Sequence, residues 1–142
     1  MFCMLGRNIT GKGYKMYDVI ILGSGPAGLT AALYTARANR KTIVLGGDRL
    51  GGQMAGIATL ENYPGWAGSG LELAQFMKRQ AESFGAVVEF VSAKNITGNA
   101  ASGFVVTTDN GQEYVGKSVI IATGASPRKL EIEGAREFMG RG

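Results

Sequence analysis

The stretch "VIILGSGPAG", Val19–Gly28, decides how this chain folds. An apolar run rich in β-branched residues breaks off at glycine, and glycines then stand at 23, 25 and 28, the spacing GxGxxG. The run is too short for a helix and lacks the alternation of a half-exposed strand. It reads as a strand over 18–22, buried on both faces. Pro26 stands where a helix would open, a position at which its missing N–H loses no partner. In "AGLTAALYTARA", Ala27, Ala31, Tyr34 and Ala38 recur at helical spacing, and small residues along it permit close approach to a sheet. Thr42–Leu45, "TIVL", is a second buried strand. Strand, glycine turn, helix and strand make a βαβ unit, which predicts a parallel sheet.

Each glycine of the turn has a physical task if the turn holds a dinucleotide. Gly23 permits the tight bend, Gly25 lets the backbone approach a pyrophosphate, and Gly28 lets the helix pack on the strand. The helix then offers free N–H groups and its positive dipole end to the phosphates. A glycine turn alone is weak evidence, but here a strand precedes it, a helix follows, and the second strand arrives on schedule. One element of the pattern is missing. An acid that binds the ribose hydroxyls should end the second strand, yet that strand ends Leu45-Gly46-Gly47, and the first acid is Asp48. Either Asp48 reaches back or backbone groups hold the ribose, and a standard NAD site is disfavoured.

Eight glycines fall between 46 and 70, which reads as a long functional loop. An amphipathic helix is expected over 71–84, with Leu71, Ala74, Met77, Ala81 and Phe84 on one face. Val87–Val91 reads as a third parallel strand. Residues 94–116 alternate and contain "DNG" at 109–111, a hairpin signal, so an antiparallel meander is expected there. "GFVVTT" and "QEYVG" are two of its strands, and Ser118–Ile121 is a further buried parallel strand running into "ATG".

The net charge is +4, but Arg7, Lys12 and Lys15 leave residues 16–142 with twelve basic and eleven acidic groups. A nearly neutral body gives no support to nucleic-acid or membrane-surface binding. No apolar run approaches the roughly 20 residues of a membrane helix. Residues 1–15 read as a flexible leader ahead of Met16. There is no histidine, and Cys3 is the single cysteine, so a catalytic triad, a cysteine metal site and a redox pair have no residues here. No catalytic residue and no metal ligand is expected. The Asn-x-Thr sequences at Asn8 and Asn95 read as chance matches.

GSGPAG at 23–28, GGQ at 51–53, ENYPG at 61–65 and ATGASPR at 122–128 occur in this order. With them, residues 16–142 resemble the flavin domain of bacterial-type thioredoxin reductases, members of the pyridine nucleotide-disulfide oxidoreductase family. The resemblance implies an α/β Rossmann-type FAD-binding domain, a parallel sheet with an antiparallel meander. It implies FAD as cofactor, with Ser24, Gly25, Pro26 and Ala27 lining the pyrophosphate turn. Gln53 and Asn62 would sit beside the flavin and ribityl chain, Ala93 by the adenine, and Ala122, Thr123 and Gly124 against the cofactor. Gly51, Gly52 and Gly124 allow close backbone approach, and the two amides can both donate and accept.

In that family electrons pass from NADPH to FAD, to a cysteine pair, and to a partner thioredoxin, within a cytoplasmic homodimer. "FMGRG" at 138–142 resembles the stretch before the cysteine pair. The chain is therefore expected to be an incomplete flavin domain without the NADPH domain or the return segment, and inactive alone. Two other expectations stand beside it: a stand-alone or partner-dependent flavin- or nucleotide-binding module, or a fragment of a cysteine-free ferredoxin/NADPH flavin reductase. A NAD-binding Rossmann domain is disfavoured by Gly46 and by the Gln53 and Asn62 motifs.

Overall fold

The computed structural model describes residues 16–126, 128, 131, 132, 134, 137 and 138. Residues 1–15, with Cys3, and most of the 138–142 stretch lie outside the described residues. In chain order the elements are β1 (Met16–Leu22), α1 (Pro26–Arg37), β2 (Thr42–Leu45), a 3-10 turn (Gly52–Gly56), α2 (Gly70–Ser83), β3 (Val87–Glu89), β4 (Ala93–Asn99), β5 (Gly103–Thr108) and β6 (Glu113–Ile121). They form one six-stranded sheet in the order β3-β2-β1-β6-β5-β4. β3, β2, β1 and β6 run parallel, and β6, β5 and β4 run antiparallel.

The buried run of β1 decides this arrangement. Ile20 and Ile21 are fully buried, and each side chain joins a different core. Ile21 packs with Val19, Val44, Ala32, Ala36 and Ala81 beneath the two helices. Ile20 packs on the other face with Leu22, Ile43, Leu45, Val106 and Tyr114. Alanines at the helix contacts bring α1 close to the sheet, as the small residues of the sequence imply.

On the second face the meander curls across the parallel strands. The Tyr114 hydroxyl on β6 donates to the Glu89 carboxylate on β3, although β2 and β1 lie between these strands. In a flat sheet three strand spacings would separate them by roughly 14 Å. The Tyr17 and Tyr114 rings meet beside this bond, 6.5 Å between centroids.

Several expectations are corrected. Residues 113–121 form one strand rather than two. Gly116, where the expected meander strand "QEYVG" ended, is a point of close approach within the strand, since a Cβ there would lie 2.8 Å from the Ile20 side chain. The strand is also not buried at its end, as Ile121 is 69% exposed. β3 is shorter than expected, stopping at Glu89. The buried face of α1 is Gly28, Leu29, Ala32 and Ala36, while Ala27, Tyr34 and Ala38 are exposed. Tyr34 instead stacks with the Arg37 guanidinium, which also lies over Phe84. On α2, Leu73, Ala74 and Ala81 are buried, while Leu71 and Phe84 are exposed. Counting from Leu71 thus shifted that face toward solvent.

The loop of 46–70 is not structureless. Its 3-10 turn buries Met54, which packs with Leu60, Leu73 and Ala74. Leu60 bridges Gly68. α2 then opens on a capping box, with Ser69 accepting from the Glu72 N–H and Glu72 accepting from the Ser69 N–H.

Burial, and the neighbouring Glu89, hold the Tyr114 hydroxyl well above the usual phenol range. Burial also raises Tyr17. A group whose pKa is raised on folding lends stability that is whole below its unfolded value, about 10 for tyrosine, and is lost as pH climbs from there toward the folded value. Urea midpoints measured across the alkaline range should therefore fall with pH. Tyr114→Phe should flatten that fall, while lowering stability at neutral pH because Glu89 loses its donor.

Candidate functional site

The site forms where the C-terminal ends of β1, β2 and β6 converge. The Gly23 N–H donates to the Leu45 carbonyl at 2.8 Å, and the Ala122 N–H donates to the Leu22 carbonyl at 2.9 Å. Gly23 has φ +106°, and a Cβ there would lie 2.3 Å from the Ala122 carbonyl oxygen. A Cβ on Gly28 would lie 1.9 Å from the Gly23 carbonyl oxygen. These two glycines are thus required by backbone crossing backbone.

Gly25 is different. It is the N-cap of α1 in extended conformation, with φ −73°, and any side chain could adopt that backbone. A Cβ on Gly25 would find nothing within 4 Å. No side chain caps α1, and no acid lies in its first turn. The structure therefore leaves open space in front of a helix N-terminus with no internal anion, the arrangement a phosphate requires. Gly52 closes one side, its Cβ position 3.8 Å from the Gly25 Cα.

Ser24 is 2% exposed. Its hydroxyl donates to the carbonyls of Gly46, at 2.9 Å, and Arg49, at 3.1 Å. Its carbonyl accepts from the Gly51 N–H at 2.9 Å. The loop after β2 is held on its other side by Gly46 N–H to Glu89 carbonyl, 2.8 Å, and Gly47 N–H to Val91 carbonyl, 3.1 Å. That second bond brings the segment leading to Ala93 beside Gly47. Gly51, with φ +85°, crosses Ala74 of α2 so closely that a Cβ would lie 2.7 Å from the alanine methyl.

Of the sequence candidates, Gly23, Ser24, Gly25, Pro26, Ala27 and Gly28 form the turn itself. Gly52 lies against it. Gln53 donates through Nε2 to the Ala125 carbonyl, which joins the 3-10 turn to the segment carrying Ala122, Thr123 and Gly124. Gly124 has φ +67° and open space around its Cβ position. Asp48 is exposed and lines an open groove of about 500 Å³ with Arg49, Leu50, Gly52, Leu71 and Phe90. Ala93 opens β4 and pairs with Thr108. Asn62 is exposed, and no hydrogen bond ties it to the glycine turn. The Ala125 carbonyl, and the carbonyls that anchor the 46–51 loop, have no signature in sequence, since any residue supplies them. Among the described residues no cluster of potential metal ligands occurs, and no helix is long and apolar enough to cross a membrane.

The fold and the open glycine turn define a dinucleotide-binding α/β domain. Comparison with known proteins narrows this. Residues 17–142 match the model of the pyridine nucleotide-disulphide oxidoreductase family, and the chain belongs to that family. It is 50% identical over 128 residues to a thioredoxin reductase of Treponema pallidum, covering 89% of this chain and 41% of that protein. It is 49% identical over 131 residues to one of Aquifex aeolicus, covering 90% and 40%. The crystal structure of the Lactococcus lactis thioredoxin reductase superposes with a TM-score of 0.78 at 44% identity, covering 87% of this chain and 40% of that one. The chain thus spans about two-fifths of the length of these relatives, their N-terminal portion, and shares their Rossmann-type FAD-binding fold.

The glycines of the turn should separate in experiment. Gly28→Ala should lower unfolding free energy by about 3 kcal/mol, because the methyl group meets a backbone carbonyl that cannot move alone. Gly25→Ala should stay within about 0.5 kcal/mol of the unchanged protein. Urea unfolding of the two variants checks this.

Proposed function

We propose that residues 16–142 are the FAD-binding part of a flavin-dependent disulfide reductase of the thioredoxin reductase type, and that residues 1–15 are a leader. The observation that carries this is Gly25, standing open in front of an uncapped helix and within reach of Gly52. The residues fit the cofactor: a Cβ at 25 would enter the space a pyrophosphate needs. The family likeness argues for FAD over NAD, and the lack of an acid at the end of β2 agrees with it.

When bound, a flavin supplies two-electron transfer between a reduced nicotinamide and a disulfide. The protein's part is to bind and orient it. The N–H groups of Ala27 and Gly28, with the α1 dipole, would hold the pyrophosphate. Asp48 and the backbone beside Ala93 would take the adenosine end. The Gln53 and Asn62 amides, with Ala122, Thr123 and Gly124, would face the ribityl chain and ring. Gln53 would exchange its bond to Ala125 for the cofactor, as an amide can donate and accept by turns. In this reading the complete protein takes electrons from NADPH, passes them through a cysteine pair to thioredoxin, and works as a cytoplasmic homodimer. A second reading, a flavin-binding module that works with a partner chain, rests on Cys3 being the single cysteine of the 142 residues.

Equilibrium titration with FAD and with NAD tests the assignment. FAD should bind more tightly, and tighter binding of NAD would overturn it. Gly25→Val should weaken FAD binding about tenfold or more, a loss of ~1.4 kcal/mol or greater.

The 142 residues alone should show no thioredoxin-coupled NADPH oxidation in the presence of FAD, since disulfide exchange needs an attacking and a resolving thiol. Turnover that survives Cys3→Ser would reveal another redox centre.

A further inference from the structure

Ser24 sits in the phosphate turn, yet its side chain does not face the space in front of Gly25. It is buried, and its single O–H is shared between the Gly46 and Arg49 carbonyls. Its own carbonyl holds the Gly51 N–H. The loop that leaves β2 is therefore fastened to the glycine turn at three points along its length, all through one residue. In open α/β sheets this loop carries the ribose-binding group.

Gly46 explains why a hydroxyl does this work. A Cβ at 46 would lie 3.0 Å from both the Cβ and the Oγ of Ser24, and 3.4 Å from the Glu89 carbonyl oxygen. A side chain at 46 would press on the serine, which would have to give by a few tenths of an ångström, and this chain has glycine at 46 beside the buried serine.

Resting on the dinucleotide reading above, we propose that Ser24 is a positioning residue for the adenosine half of the cofactor. It sets the path of 46–49, so that the ribose meets backbone groups and Asp48 rather than a carboxylate on β2. Its hydroxyl does not bind phosphate. The flavin half is held elsewhere, by the 3-10 turn and the 122–125 segment, and does not depend on the Ser24 hydroxyl.

The two halves can be probed separately with the whole 142-residue chain. ADP carries the adenosine and pyrophosphate, whereas FMN carries the ring, the ribityl chain and one phosphate. Binding of FAD, ADP and FMN is measured by titration calorimetry on the unchanged protein and on Ser24→Ala, with unfolding temperature as a control. Ser24→Ala should weaken FAD and ADP by a similar factor, about tenfold, the usual effect of one lost buried hydrogen bond. FMN affinity should stay within about twofold, and the visible spectrum of bound flavin at saturating FAD should not change. Equal losses for FMN and ADP would overturn the proposal, because they would show a general loosening. Unchanged ADP affinity would overturn it too. Failure of the unchanged protein to bind either FAD or ADP would instead overturn the dinucleotide reading, and this proposal with it.

Discussion

The structure depends on one close approach: the backbone of α1 against the backbone of the turn that precedes it. Gly28 sits so near the Gly23 carbonyl, and Gly23 so near Ala122, that no methyl group fits at either point. Those contacts fix three things at once. They set the angle at which α1 leaves β1, and they bring the end of β6 against the turn. They also aim the helix N-terminus at the open space before Gly25. The parallel sheet, the helical layer and the site follow from a spacing of a few ångströms enforced by the absence of side chains.

The glycines of this chain serve distinct purposes that only contact geometry separates. Gly23 and Gly28 yield space to backbone, Gly46 yields to Ser24, and Gly51 yields to Ala74. Gly25 and Gly124 yield to nothing in the protein. At Gly25 open space meets an ordinary extended backbone and an uncapped helix N-terminus, which together outline a volume the protein itself does not fill. That volume lies at the carboxyl ends of the parallel strands, where α/β sheets place their ligands.

The βαβ unit was legible in the sequence because each of its signals is local. Val19–Leu22 is an unbroken apolar run, Pro26 marks a helix start, and Thr42–Leu45 reads as a strand from its own composition; the observed β2 has those bounds. The DNG hairpin was legible for the same reason, as Gly111 adopts φ +80° in the turn. What stayed hidden depends on partners distant in sequence. The buried face of α1 was misread because alanine is compatible with either side of a helix, and only the sheet decides; on α2, Ala74 and Ala81 are buried as read, but Leu71 and Phe84 at the ends of the face are exposed. β6 was split at Gly116 because nothing local shows that Ile20, almost a hundred residues earlier, needs that space. At the site, the glycine turn was legible by its spacing. The Ser24 hydroxyl bonds were not, because both acceptors are carbonyls that any residue could offer.

The strand order has a consequence for how the protein is made. β1 is the first strand described and sits at the centre of the parallel half, paired with β2 on one side and β6 on the other. The Asp18 carboxylate meets the Lys117 ammonium at 2.6 Å, and Ser118 donates to the Asp18 carbonyl. These contacts join residues a hundred positions apart. During synthesis β1 can pair with β2 early, but its second edge stays open until β6 emerges. An unpaired apolar edge in mid-sheet invites wrong partners, and contacts of such long sequence separation form slowly. The order of the strands thus leaves one edge of a central apolar strand without its partner until β6 has been made, and its protection falls to whatever covers a nascent chain.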